Sequence, residues 1–135
     1  MGDVYLPEEA GTALTDDVWR RVAWPRSEAV VIVLPAAGCP AGWTLSVARS
    51  FFLASCGQCP PCRDGTNRIA GLAQKIERDG ARGREHLLAL RRLAGEMRDK
   101  GNCPVASDLS RAVRGLSGRL EARWVEHLRS GRCGD

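Results

Sequence analysis

Aromatic side chains are scarce in this sequence, at 5% of 135 residues. Strands favour aromatic and β-branched residues, so we expect helices packed on Leu, Ala and Val rather than a sheet sandwich. No apolar run approaches the roughly 20 residues of a membrane-spanning helix, because the longest, Ala29 to Gly38, is broken by Pro35. The first residues also lack the basic-then-apolar pattern of a signal peptide. We therefore expect a small cytoplasmic protein that does not insert into a membrane.

Glycine-rich turns are missing as well. The glycines in the first part of the chain are isolated, and none links a predicted strand to a helix; they are Gly2, Gly11, Gly38 and Gly42. Turns of that kind bring backbone N–H groups against the pyrophosphate of a dinucleotide. We therefore expect this chain alone to bind neither flavin nor NADH.

Acidic residues are in the minority over most of the chain. Residues 49–135 hold 17 basic and 10 acidic residues, a balance of +7, whereas residues 1–48 hold 3 and 6, a balance of −3. A basic surface can attract nucleic acid or an acidic protein. Here the basic residues are interleaved with Glu and Asp and show no aromatic stacking pattern, so solvated helix faces are the simpler interpretation. We expect no nucleic-acid partner.

The hydrophobic pattern from Trp43 onward is helical. Apolar residues recur on one helical face, which predicts helices over about 43–54, 64–79, 84–98, 106–116 and 118–129. Short connections between them favour an antiparallel bundle. In front of the bundle, the pattern favours a short helix over 15–23 and a buried strand over 29–35. The predicted fold is mainly α, a small helical bundle.

Cysteine is the most informative residue type that is present. Three of the six cysteines follow a C-x2-C-x2-C pattern, at Cys56, Cys59 and Cys62. In a cytosolic chain, clustered cysteines point to metal or redox chemistry before structural disulfides. Three thiolates from one loop can each bind a different iron of a [4Fe–4S] cluster, which then needs one more ligand. Zinc is the alternative, although zinc sites usually combine two separated C-x2-C pairs.

The fourth ligand must come from a distance, because the sequence after Cys62 lacks the x3-C-P of bacterial ferredoxins. Cys103 is the best candidate, since two predicted helices of similar length lie between it and Cys62 and would return the chain to its starting point. Cys39 precedes the first bundle helix and should lie at its opposite end. Cys133 lies near the C-terminus, where chains tend to fray. We expect these last two to be spare thiols or intermolecular contacts, and not ligands.

The stretch SCGQCPPCRDG, Ser55 to Gly65, closely resembles the S-C-G-x-C-x-P-C-R-x-G signature of a known family. That family is the flavin-bearing, NADH-binding subunit (51 kDa or F subunit) of NADH:quinone oxidoreductase, or complex I. Related forms occur in NAD-linked hydrogenases and formate dehydrogenases. The resemblance implies that Cys56, Cys59, Cys62 and Cys103 hold one [4Fe–4S] cluster in a helical bundle.

The resemblance also implies a division of the chain into two parts. Residues 1–42 resemble the end of the family's small β-grasp-like domain, here truncated, and residues 43–135 resemble its helical iron–sulfur domain. The family's NADH- and flavin-binding domain has no counterpart in this sequence. Two residues near the site differ, since Ala54 stands where the family has Glu and Pro104 where it has a small apolar residue.

By resemblance, the function is an electron-transfer module that is not catalytic alone. Its partner would be a redox protein, for which a separate flavin- or NADH-binding subunit is one candidate. From the residues themselves, Arg63 either raises the reduction potential through its charge or simply lies on the surface. Gly57 should let the backbone pass close to the cluster, and Gly65 should do the same or allow a turn.

The alternative function is a non-redox binding module. In that case the cluster or a zinc ion would be a structural staple for the bundle. The basic helices would then bind a nucleic acid or an acidic protein.

Overall fold

The computed structural model describes residue 34 and residues 38–131. This part of the chain forms five α-helices, which are α1 (Pro40–Ala54), α2 (Asn67–Asp79), α3 (Arg84–Met97), α4 (Val105–Arg119) and α5 (Glu121–Ser130). A π-helical turn (Pro61–Thr66) leads directly into α2, and a 3-10 turn (Gly80–Gly83) joins α2 to α3. The prediction of a mainly helical fold is confirmed.

Several predictions for the N-terminal part fall outside the described residues. They are the short helix over 15–23, the strand over 29–35 apart from Leu34, and most of the β-grasp-like segment 1–42. Among the helices that the structure describes, none is long and apolar enough to cross a membrane.

Prolines determine where two helical segments begin. Pro40 lies in the first turn of α1, where its fixed φ suits a helix and its missing N–H costs nothing. As a result, α1 begins before Trp43, where the apolar pattern starts. Pro60 also has helical dihedral angles, φ −54° and ψ −41°, so the backbone is already helical at Cys62. The predicted helix over 64–79 therefore begins inside the π turn, after the helical segment starts at Pro61 and before α2.

The first four helices close into a bundle around an aliphatic core. α1 packs on α2, α2 on α3, α3 on α4, and α4 returns to α1, while α5 packs against the 3-10 turn. Burial of one aliphatic side chain contributes roughly 1.5–3 kcal/mol; the largest that are fully buried are Ile69, Ile76, Leu90, Leu109, Val113 and Leu116. The π turn lies against both α3 and α4. This packing positions the loop after α1 beside the connection between α3 and α4.

Candidate metal centre

The cysteine-rich loop begins where α1 ends. The backbone N–H of Ser55 donates to the carbonyl oxygen of Phe52 at 3.3 Å, and the Ser55 hydroxyl donates to the same oxygen at 3.0 Å. Gly57 then has φ +67°, a conformation that side chains bearing a Cβ disfavour. A Cβ at this position would meet no atom within 4 Å. Gly57 is thus required for its backbone conformation, which turns the loop, and not for space.

Cys59 and Cys62 lie where this loop becomes the π turn, and both are buried. The carbonyl oxygen of Cys59 accepts hydrogen bonds from the N–H groups of Cys62, at 3.1 Å, and Arg63, at 2.9 Å. The Thr66 hydroxyl, itself buried, donates to the carbonyl oxygen of Cys62. These bonds fix the backbone at both cysteines before α2 begins.

Cys103 lies on the second loop, between α3 and α4, and its side chain is exposed. This loop turns at Asp99, which has φ +58°. The Asp99 N–H donates to the hydroxyl of Ser107 in α4 at 3.0 Å. The N–H of Asn102 stabilises the thiolate of Cys59 and, together with the N–H of Cys62, holds the pKa of Cys59 below its usual value. Since Asn102 directly precedes Cys103, this contact joins the two loops.

The four predicted ligand cysteines lie in one neighbourhood. The pKa of the Cys62 thiol is raised to about 12, first by burial and then by the thiols of Cys59, Cys103 and Cys56 around it. Such interactions weaken with distance, so the loop cysteines and Cys103 must be near one another. Cys59 and Cys62 form the buried side of this group, and Cys56 and Cys103 the exposed side.

These thiols interact electrostatically, but they do not converge on one point. Within the described part of the chain, no three Cys, His, Asp or Glu side chains are arranged to hold a metal ion. Cys39 is not part of the group, because it precedes α1 at the other end of that helix. Its predicted position is confirmed, and Cys133 lies outside the described residues.

Gly65 and Met97 form a contact that the sequence pattern did not indicate. A Cβ on Gly65 would lie 2.7 Å from Sδ and 2.9 Å from Cε of Met97, and both residues are buried. Gly65 is not among the residues with positive φ, so its backbone conformation in the π turn does not require glycine. It allows the π turn to pack closely on the end of α3, just before the Cys103 loop.

Arg63 lies on the surface. Its Nε is 3.2 Å from Oδ1 of Asp64, and the two side chains are 61% and 58% exposed. The neighbouring carboxylate therefore balances much of the positive charge that Arg63 brings to this end of the bundle. An exposed pair of this kind contributes little to stability.

The pKa is lowered at Cys59 and raised at Cys62, which predicts that the Cys59 thiol is alkylated first in the metal-free protein. Because the thiolate is the nucleophile, iodoacetamide at pH 8 should alkylate Cys62 at least about tenfold more slowly than Cys59. The difference between the two alkylation rates should become smaller as the pH rises toward 12, where Cys62 ionises. Site-resolved mass spectrometry over a time course measures both rates, and the unfolded chain, in which the two should react alike, is the control. Faster alkylation of Cys62 in the folded protein would contradict the assigned environments.

Comparison with known proteins identifies this region. Residues 43–127 match the model of the family described as the NADH-ubiquinone oxidoreductase-F iron-sulfur binding region. The match begins inside α1, includes both cysteine-bearing loops and ends in α5. No curated protein matches the chain.

Proposed function

Because the chain belongs to the family of the NADH-ubiquinone oxidoreductase-F iron–sulfur binding region, a [4Fe–4S] binding region, we propose that it is an electron-transfer module. We further propose that the thiolates of Cys56, Cys59, Cys62 and Cys103 hold the cluster. When bound, such a cluster takes up and releases single electrons. The helical domain that carries it would comprise residues 43–135, with α1 extending it back to Pro40.

The observation that carries this proposal is the meeting of two separate loops at four thiols. The Cys62 thiol interacts with that of Cys59 and, through charge, with those of Cys103 and Cys56. Four cysteines fit a [4Fe–4S] cluster in number and in chemistry, since thiolates are the ligands that such clusters take. The buried pair would hold the cluster against the bundle, and the exposed pair would close its outer side.

The surrounding backbone supports the same assignment. The N–H groups of Asn102 and Cys62 stabilise negative charge on the Cys59 sulfur. Hydrogen bonds to the sulfurs are among the features that set the potential of an iron–sulfur centre. The chain would thus contribute position and potential to electron transfer, while a separate redox protein would supply or accept the electrons.

A redox titration tests the proposed function. Protein prepared under anaerobic conditions should take up one electron per chain from dithionite and return it to a mild oxidant. An electron paramagnetic resonance signal should appear on reduction and disappear on reoxidation. The metal-free protein is the control and should show neither change. A fully loaded protein that takes up no electron would contradict the electron-transfer function and favour a structural role for the metal.

A further inference from the structure

A second thiol site lies at the other end of α1. Cys39 is the N-cap residue of this helix and is partly exposed. Its Sγ lies 3.3 Å from Nδ1 of His127, a residue 88 positions away in the sequence. Because α1 has 15 residues and is therefore about 22 Å long, this site is remote from the loop that carries Cys56.

The other ring nitrogen of His127 determines where its proton lies. Nε2 is 3.0 Å from the carbonyl oxygen of Ile76, and a carbonyl oxygen only accepts, so Nε2 carries a hydrogen. In the neutral ring Nδ1 is then an acceptor, and it receives the hydrogen bond of the Cys39 thiol. His127 is only 2% exposed, so packing holds the ring in this orientation. Nδ1 is therefore positioned to take a proton from Cys39.

Charged groups from three helices lie around Cys39. The N-terminus of a helix carries partial positive charge, and the first turn of α1 contains no acidic residue. The guanidinium of Arg123 donates to the carbonyl oxygen of Gly38 at 2.8 Å. The carboxylate of Glu77 is also near, because a Cβ on Gly42 would lie 3.1 Å from Oε1 of Glu77 and 3.9 Å from Cβ of Cys39. Positive charge from α1 and α5 and one carboxylate from α2 are therefore close to Cys39.

We propose that Cys39 and His127 form a reactive thiol pair, and that Cys39 is a site of modification by low-molecular-weight disulfides. In this reaction Sγ of Cys39 attacks one sulfur of a disulfide RSSR while Nδ1 of His127 takes the thiol proton. A bond forms between Cys39 and one RS group, and the S–S bond of RSSR breaks. The departing thiolate then receives the proton from His127 and leaves as RSH. The disulfide itself is the oxidant, so atoms and electrons balance. The site goes beyond the proposed cluster function and uses none of its ligands.

The test measures disulfide formation at Cys39 in the folded, cluster-loaded protein. Oxidised glutathione is added at pH 7 without oxygen, and the mixed disulfide at each cysteine is followed by mass spectrometry. A free thiol is only a few per cent ionised at this pH, and a positioned base contributes 10²–10⁴-fold in enzymes. Because Cys39 is only partly exposed, we expect the lower end of this effect. Cys39 should react about tenfold faster in the wild type than in His127→Gln, which retains hydrogen-bonding groups but no base. His86→Gln, at the other histidine, should react at the wild-type rate.

Two results would overturn the proposal. One is a rate at Cys39 that is the same in folded His127→Gln and in the wild type. The other needs no variant, and so applies even if His127→Gln does not fold. In the urea-unfolded chain Cys39 is fully accessible but unassisted, so a folded wild type whose Cys39 reacts no faster than this reference has no reactive pair.

Discussion

Replacing Cys103 by Ser should lower the iron content from about four to about three per chain, or abolish the cluster altogether, because one iron would lose its thiolate. Cys103 is the one member of the proposed ligand set outside the Cys56–Cys62 loop. It approaches the others only through the connection between α3 and α4. Iron and sulfide analysis with electron paramagnetic resonance on the anaerobic variant provides the measurement.

Two further cysteines serve as matched controls for Cys103→Ser. Cys39→Ser removes a thiol at the remote end of α1, and Cys133→Ser removes the other cysteine outside the proposed ligand set. Both variants should keep the wild-type iron content and signal. An unaltered cluster in Cys103→Ser, together with its loss in Cys39→Ser, would show that the ligand assignment is wrong.

Gly65→Val should displace the two cysteine loops from each other and sharply lower the amount of cluster retained. The new side chain would start 2.7 Å from Sδ of Met97, inside a contact with no free space, since Met97 is only 3% exposed. Overpacking of this kind typically costs about 1–3 kcal/mol. Here the strain would fall between the π turn and the end of α3, which precedes the Cys103 loop. Iron content and thermal unfolding of the variant measure the effect.

The glycines of the bundle supply a control for Gly65→Val. A Cβ on Gly71, inside α2, would meet no atom within 4 Å. Gly71→Ala should therefore keep the cluster and stabilise the protein by about 0.5–1 kcal/mol, since Gly is unfavourable within a helix. Adding Met97→Ala to Gly65→Val should restore part of the lost iron by making room for the valine. Full cluster content in Gly65→Val alone would contradict the proposed role of this contact.

Local sequence patterns were sufficient to predict the helices and the meeting of the two loops. The spacing of apolar residues predicted the five helical segments. The second and third have similar lengths, which implied that the chain runs out and back and brings Cys103 near Cys62. Their ends were less accurate. The fixed φ of proline favours a helix start, but the apolar spacing that predicted the helices carries no information about it. For this reason α1 begins earlier than predicted, at Pro40, and the π turn already includes Cys62.

Contacts between distant parts of the chain could not be predicted in the same way. The packing of Gly65 on Met97 depends on how closely two helical segments approach, which no local pattern encodes. The pairing of Cys39 with His127 likewise depends on where α5 packs. The only signal was that His127 follows Trp124 by three residues, a spacing that places both on one helical face. A histidine on a buried face needs polar partners, but the sequence does not say which.

Metal and sulfide analysis of protein made anaerobically with ample iron tests the central claim, that these two loops build an iron–sulfur centre. The expected result is about four irons and four acid-labile sulfides per chain when fully loaded, and no stoichiometric zinc. Zinc at one equivalent per chain without sulfide would contradict the claim. The four cysteines would then form a structural zinc site, and the protein would not be an electron-transfer module.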